Sequence, residues 1–134
     1  MSVKVTLSFE EISQRLWQLS LPEIDWVVGV ATGGIVPAAL VAHQLRKPLA
    51  LLHINFRAQD NSPRYEQPQL LAALPELGPG QRILLVDDVS VSGKTLDLAK
   101  AQLGEYAVTT LVMKGHGDFV LFPEVAACVN WPWK

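Results

Sequence analysis

Cysteine is nearly missing from this chain: Cys128 is the single one among 134 residues. One thiol cannot close an intramolecular disulfide, so a reducing compartment is the natural reading. Clusters of positive charge are missing as well. Eleven Lys and Arg against 13 Asp and Glu leave a net charge of −2, with no run of cations along the chain. That argues against general nucleic-acid binding driven by phosphate neutralisation. No apolar run approaches the length needed to span a bilayer, and the opening MSVKVTLSFEE lacks the apolar core of a signal peptide. A cytoplasmic protein with neither membrane nor nucleic acid as partner is therefore expected. Charged residues are scarce at 18% while apolar ones reach 49%, the balance of a folded chain and not of a disordered one. A single domain, residues 1–134, is expected, long enough to bury roughly two-thirds of its unfolded surface without a disulfide or metal staple.

What is present is an alternation of strand-length apolar runs with helical patterns, the signature of βαβ units and a parallel sheet. Val3 to Leu7 reads as a short edge strand. Ser8-Phe9-Glu10-Glu11 reads as a capping box, opening a helix whose buried face carries Phe9, Ile12, Leu16 and Leu19 until Leu21-Pro22 stops it. Asp25 to Val30 is a buried strand, Thr32-Gly33-Gly34 a turn, and Pro37 suits the first turn of a helix ending near Pro48. Leu49 to Asn55 follows as a strand. Between Arg57 and Gly80 prolines interrupt every pattern, as in a functional flap, with a short helix expected over Leu70 to Leu77. Ile83 to Val86 is the most apolar strand, Thr95 to Leu103 a helix, Val108 to Met113 a strand, and Val125 to Trp133 a last strand with an aromatic end.

The chemistry concentrates in ILLVDDVSVSGKT, Ile83 to Thr95. A buried strand runs into two carboxylates, Asp87 and Asp88, and a hydroxyl-rich loop then opens a helix. Ligands of open α/β sheets bind beyond the carboxyl ends of the strands, which is where this loop belongs. Gly93 lets the backbone aim its N–H groups at an anion, and the helix N-terminus adds partial positive charge. Paired carboxylates repel that anion, but they suit vicinal hydroxyls or a hard cation. Anion donors beside hydroxyl acceptors describe a pocket for a ribose 5-phosphate. Gly93-Lys94-Thr95 also looks like the end of a P-loop, but the first glycine of that motif falls on Asp88, which excludes the ATPase reading.

On these residues the chain resembles the type I phosphoribosyltransferases, whose signature is an apolar strand, two acidic residues and a loop ending Thr/Ser-Gly-x-Thr. Asp87, Asp88, Ser92, Gly93 and Thr95 match it position by position. The resemblance is nearest to the small xanthine-guanine (purine) type. It implies a parallel sheet flanked by helices, with a small hood built from the terminal segments. It implies transfer of a phosphoribosyl group from 5-phosphoribosyl 1-diphosphate to a nucleobase, a purine being expected, with release of pyrophosphate. Magnesium is the implied cofactor, and a homodimer or homotetramer the implied assembly. Asp87 and Asp88 become the catalytic pair, with Asp88 on the metal. Ser90, Val91, Ser92, Gly93, Lys94 and Thr95 join them around the phosphoribosyl group, and Thr32, Gly33, Gly34 and Arg57 meet pyrophosphate. Lys114 and Trp131, from the Trp131-Pro132-Trp133 ending, meet the base. Taken without the resemblance, the glycine pair reads equally as a helix-entry turn, Lys114 as a solvated strand end and the tryptophans as terminal packing. Arg57, Arg64 and Tyr65 fall where the family carries a lid over its reaction centre. His43, His53 and His116 share no metal-ligand spacing.

Two positions depart from the purine pattern. Thr32 stands where the xanthine-guanine type has a basic residue, and Val91 where purine enzymes have an aspartate close to N7 of the base. Loss of general acid–base help costs about 10²–10⁴-fold in rate. A second reading follows: a catalytically weak or inactive regulator that binds a phosphoribosyl compound or nucleotide.

Overall fold

The computed structural model describes residues 4–55, 69–70 and 76–134. In chain order the elements are β1 (Val5–Thr6), α1 (Phe9–Gln18), β2 (Trp26–Ala31), α2 (Ile35–Leu45), β3 (Leu49–Asn55), β4 (Gln69–Leu70), β5 (Arg82–Ser90), α3 (Lys94–Gln102), β6 (Ala107–Gly115), β7 (Phe119–Val120) and β8 (Val129–Asn130). The main sheet has the order β4-β3-β2-β5-β6-β7, all parallel except the β3–β4 pair. A separate two-stranded parallel sheet joins β1 to β8, so a small hood does arise from the terminal segments.

Both faces of the sheet are buried, which is why its strands read as continuous apolar runs. Alternation along β5 splits its side chains between two cores. Leu84 and Val86 pack with Ile12, Leu16, Ala38 and Val41 of α1 and α2, and Ile83 and Leu85 pack with Leu96 and Ala99 of α3. Helix α1 starts at the anticipated capping box: Ser8 Oγ accepts from Glu11 N–H at 3.1 Å, and the Glu11 carboxylate accepts from Ser8 N–H at 3.4 Å.

Several elements differ from the sequence reading. Leu70 lies in β4, opposite Ile54 of β3, and residues 76–78 are not helical; residues 71–75, the middle of the expected helix, lie outside the described residues. β5 continues four residues past Val86, because β6 stays paired with it as far as Ser90↔Gly115. The expected last strand shrinks to Val129–Asn130, limited by the two residues of β1 available to pair with it. β7 had no sequence signal. It is placed by Asp118, whose carboxylate accepts from Thr110 N–H (2.9 Å) and Thr110 Oγ (3.2 Å), bending residues 116–118 back onto the sheet. Arg57, Arg64 and Tyr65 lie outside the described residues.

Candidate active site

The strand order creates the site. The chain leaves β2 through α2 to β3 on one side, and continues to β5 and β6 on the other. The connections therefore diverge between the carboxyl ends of β2 and β5, the place where open α/β sheets bind ligands. β2 and β5 are in register only up to Gly29↔Val86. Beyond that point Gly34 wedges between them. A Cβ on Gly34 would stand 2.6 Å from both Val30 O and Val86 O, so only glycine fits. The split opens a cleft of about 1020 Å³.

Asp87 and Asp88 occupy the rim where the strands part. Alternation sends neighbouring side chains of a strand to opposite faces, yet at this open end both carboxyls border the same cleft. Asp87 is 7% exposed and Asp88 8%. Asp87 Oδ1 accepts from Asp88 N–H (2.8 Å), and Asp88 Oδ1 accepts from Val89 N–H (2.7 Å). Asp88 also faces the turn after β2: a Cβ on Gly33 would lie 2.6 Å from each of its oxygens. Burial first, and the neighbouring Asp88 carboxylate second, push the Asp87 carboxyl well above its ordinary pKa; Lys134 opposes this weakly.

The loop after β5 supplies donors. Ser90 is 5% exposed, and its Oγ has no partner among the described residues although Ser90 lines the cleft. A buried hydroxyl without a partner is costly unless something else meets it. Gly93 caps α3 at φ 82°, ψ −6°, with no side-chain cap bond. The first main-chain bond of α3 runs from Asp97 N–H to Gly93 O at 2.9 Å, so the Thr95 and Leu96 amides precede the helical ladder. Lys94 N–H donates to Ser92 Oγ at 3.3 Å. Ser92, Gly93 and Thr95 line the cleft, and Val91 projects at its rim, 69% exposed.

The other predicted residues separate into groups. Thr32 and Gly33 line the cleft, after a cis peptide between Ala31 and Thr32. Gly34 does not offer its amide, which donates to Val30 O at 2.7 Å; its part is to let α2 dock. Lys114 reaches the cleft but donates to Ala126 O (3.2 Å) and Ala127 O (2.6 Å), fastening the hood to β6. Trp131 is 4% exposed, with Trp133 stacked on it at 5.1 Å and Phe122 tilted against it. Lys94 has an exposed side chain that is not part of the cleft wall.

Sequence reasoning missed Gly115 and Lys134. Gly115 adopts φ 108°, and a Cβ there would stand 1.9 Å from Ser90 O, so its absence of side chain lets the β6 end clamp the loop. His116 N–H completes the clamp on Ser90 O at 3.0 Å. Lys134 Nζ pairs with Asp88 Oδ2 at 3.4 Å. A glycine after a strand was a weak signal for the first; nothing local pointed to the second.

The phosphoribosyl transferase domain profile matches residues 7–116, from just after β1 to just past the end of β6. The chain belongs to the phosphoribosyl transferase domain family. Within it, the chain is 38% identical over 91 residues to the Bifunctional protein PyrR of Pseudomonas aeruginosa, covering 63% of this chain and 54% of that protein. It is 24% identical over 128 residues to the xanthine-guanine phosphoribosyltransferase of Idiomarina loihiensis, covering 92% of this chain and 78% of that one. The chain thus spans about half the length of the PyrR proteins it matches. In fold it is similar to the crystal structure of purine phosphoribosyltransferase from Pyrococcus horikoshii, with a TM-score of 0.80 at 24% identity over 98% of this chain and 94% of that one. The five parallel strands and their flanking helices are thus those of the phosphoribosyl transferase fold.

Proposed function

We propose that this phosphoribosyl transferase domain binds 5-phosphoribosyl 1-diphosphate and transfers its phosphoribosyl group to a nucleobase, a purine first. One observation carries the reading: Asp87 and Asp88 share a single cleft with the Ser90 hydroxyl, unpartnered among the described residues, and the opening amides of α3. The anion donors and the hydroxyl acceptors are separate but adjacent, as a sugar phosphate requires.

In this reading the start of α3 receives the 5-phosphate, with Ser90, Ser92 and Thr95 hydroxyls as further donors. Asp87 and Asp88 accept from the two ribose hydroxyls and hold the ring in place. Thr32 and Gly33 face the diphosphate across Asp88. The bond from C1 of the ribose to the diphosphate oxygen breaks and pyrophosphate leaves, a bond to a base nitrogen forms, and that nitrogen gives up its proton to water. Positive charge develops on the sugar ring, and the buried carboxylates below it are placed to stabilise that charge.

The residues fit magnesium. No cluster of three or more metal-ligating side chains exists among the described residues, and magnesium takes one or two carboxylates and completes its shell with substrate phosphates and water. Asp88 would hold the ion, which when bound neutralises the diphosphate as it departs.

The test is pyrophosphate release from the diphosphate donor with magnesium and a panel of purine and pyrimidine bases. Release with a 6-oxopurine is the expected result. A specific observation favours a second reading. Val91 stands exposed at the cleft rim where a proton acceptor would be needed, and it can accept none. No release with any base, together with micromolar binding of the donor, would make the domain a phosphoribosyl-binding regulator. A flat donor titration would remove both readings.

A further inference from the structure

Lys134 is exposed over 58% of its side chain, yet its ammonium sits beside a carboxylate that is only 11% exposed. Its position is built by the hood. Lys134 N–H donates to Trp131 O at 3.2 Å, closing a turn. Trp131 is buried against Phe122, Trp133 stacks on it, and Trp133 in turn meets Phe9 at 6.4 Å. Aromatic packing therefore delivers this ammonium to one place on the cleft wall. Lys4 and Lys114 also line the cleft, and Lys114 is engaged with two hood carbonyls.

The Asp88 carboxylate meets Lys134 Nζ at Oδ2 and the Val89 N–H at Oδ1, with the turn at Gly33 against both oxygens. In the free protein two buried carboxylates would repel any diphosphate approaching the turn at Thr32–Gly33. The ammonium screens one of them. A cation that takes Asp88 leaves that ammonium without a partner, beside the turn where the diphosphate lies. Lysine suits such an exchange, since it is a point charge with three rotatable donors on a flexible stem.

We infer that Lys134 moves between Asp88 and the diphosphate of the donor, competing with the metal in the free protein and binding the anion in the complex. The inference rests on the phosphoribosyl-donor reading of the cleft.

Lys134→Gln and Lys134→Arg are compared with the unmodified chain, using Mn²⁺ alone, followed by loss of the free-ion electron paramagnetic resonance signal, and the donor with Mg²⁺, followed by calorimetry. The two ligands respond in opposite directions. Lys134→Gln binds Mn²⁺ about threefold more tightly, the size of one exposed ion pair removed. It binds the donor about tenfold more weakly, as one charge-assisted contact is lost. Lys134→Arg recovers donor binding. Equal weakening of both ligands, or no change in either, overturns the role of Lys134 and leaves the donor reading standing. An unmodified chain that fails to bind the donor overturns that reading itself.

Discussion

Asp87 is a carboxyl removed from water and set beside a second carboxylate, and both circumstances raise its pKa. In the unfolded chain it ionises at about pH 4. The folded state holds the proton to higher pH, so its stabilising contribution is complete below the unfolded pKa and is lost as pH rises through the folded one. Asp87→Asn keeps the shape and removes the buried charge. Its melting temperature is expected to exceed that of the unmodified chain at about pH 7.5, with the gap narrowing towards about pH 5. A variant less stable than the parent at both pH values would show that Asp87 is stabilised, not strained, in the fold. Donor affinity should fall in the same variant, since one acceptor for the ribose hydroxyls becomes an amide. The two glycines of the first turn make a contrasting pair. A methyl on Gly33 meets the end of the Asp88 side chain, which can swing away, so Gly33→Ala should fold normally and lose donor affinity in calorimetry. A methyl on Gly34 meets two backbone oxygens of the sheet, so Gly34→Ala should lose roughly 1–3 kcal/mol or more in denaturant unfolding.

Secondary-structure ends do more for this site than secondary-structure middles. The start of α1 needs Ser8: Ser8→Ala should cost about 1 kcal/mol in denaturant unfolding and leave donor binding unchanged. The far end of β5 depends on β6, since pairing with β2 stops at Val86 while pairing with β6 runs to Ser90. One neighbour holds the strand and the other lets go, which is what opens a cleft beside Asp87 and Asp88 without loosening their backbone. The short reach of β7 follows the same logic, with one carboxylate, Asp118, turning the chain back onto Thr110.

The whole domain is a sheet with two covered faces and a lid of terminal strands over one end. The lid is joined to the sheet by Lys114 on the Ala126 and Ala127 carbonyls and by Trp131 in the core that α1 and α2 share. An outer ion pair between Arg15 and Glu124 ties α1 to the same connection, with the Arg15 guanidinium resting over the Phe122 ring. Trp131→Ala should cost roughly 3–5 kcal/mol of unfolding free energy. Limited proteolysis of that variant should cut first between β7 and β8, and a first cut inside β5 or β6 would show that the hood is not the weak point. Among the described residues no helix is long and apolar enough to cross a membrane.

Local chemistry determined most of the scaffold. The capping box, the apolar runs of β2, β3, β5 and β6, the glycine turn and the loop from Asp87 to Thr95 all express interactions between residues close in the chain, so they can be read in order along it. The sequence also placed the hood in the terminal segments through a family resemblance. Tertiary structure decided which of those residues border one cleft. Gly34 turned out to be spent on docking α2 and Lys114 on fastening the hood, because their partners, Val30 and Val86 for one, Ala126 and Ala127 for the other, are fixed by packing and not by spacing. Lys134 beside Asp88 is the clearest case. Those two charges are brought together in a hood that also pairs β1 with β8 and stacks two tryptophans, and no periodicity in the chain records an encounter of that kind.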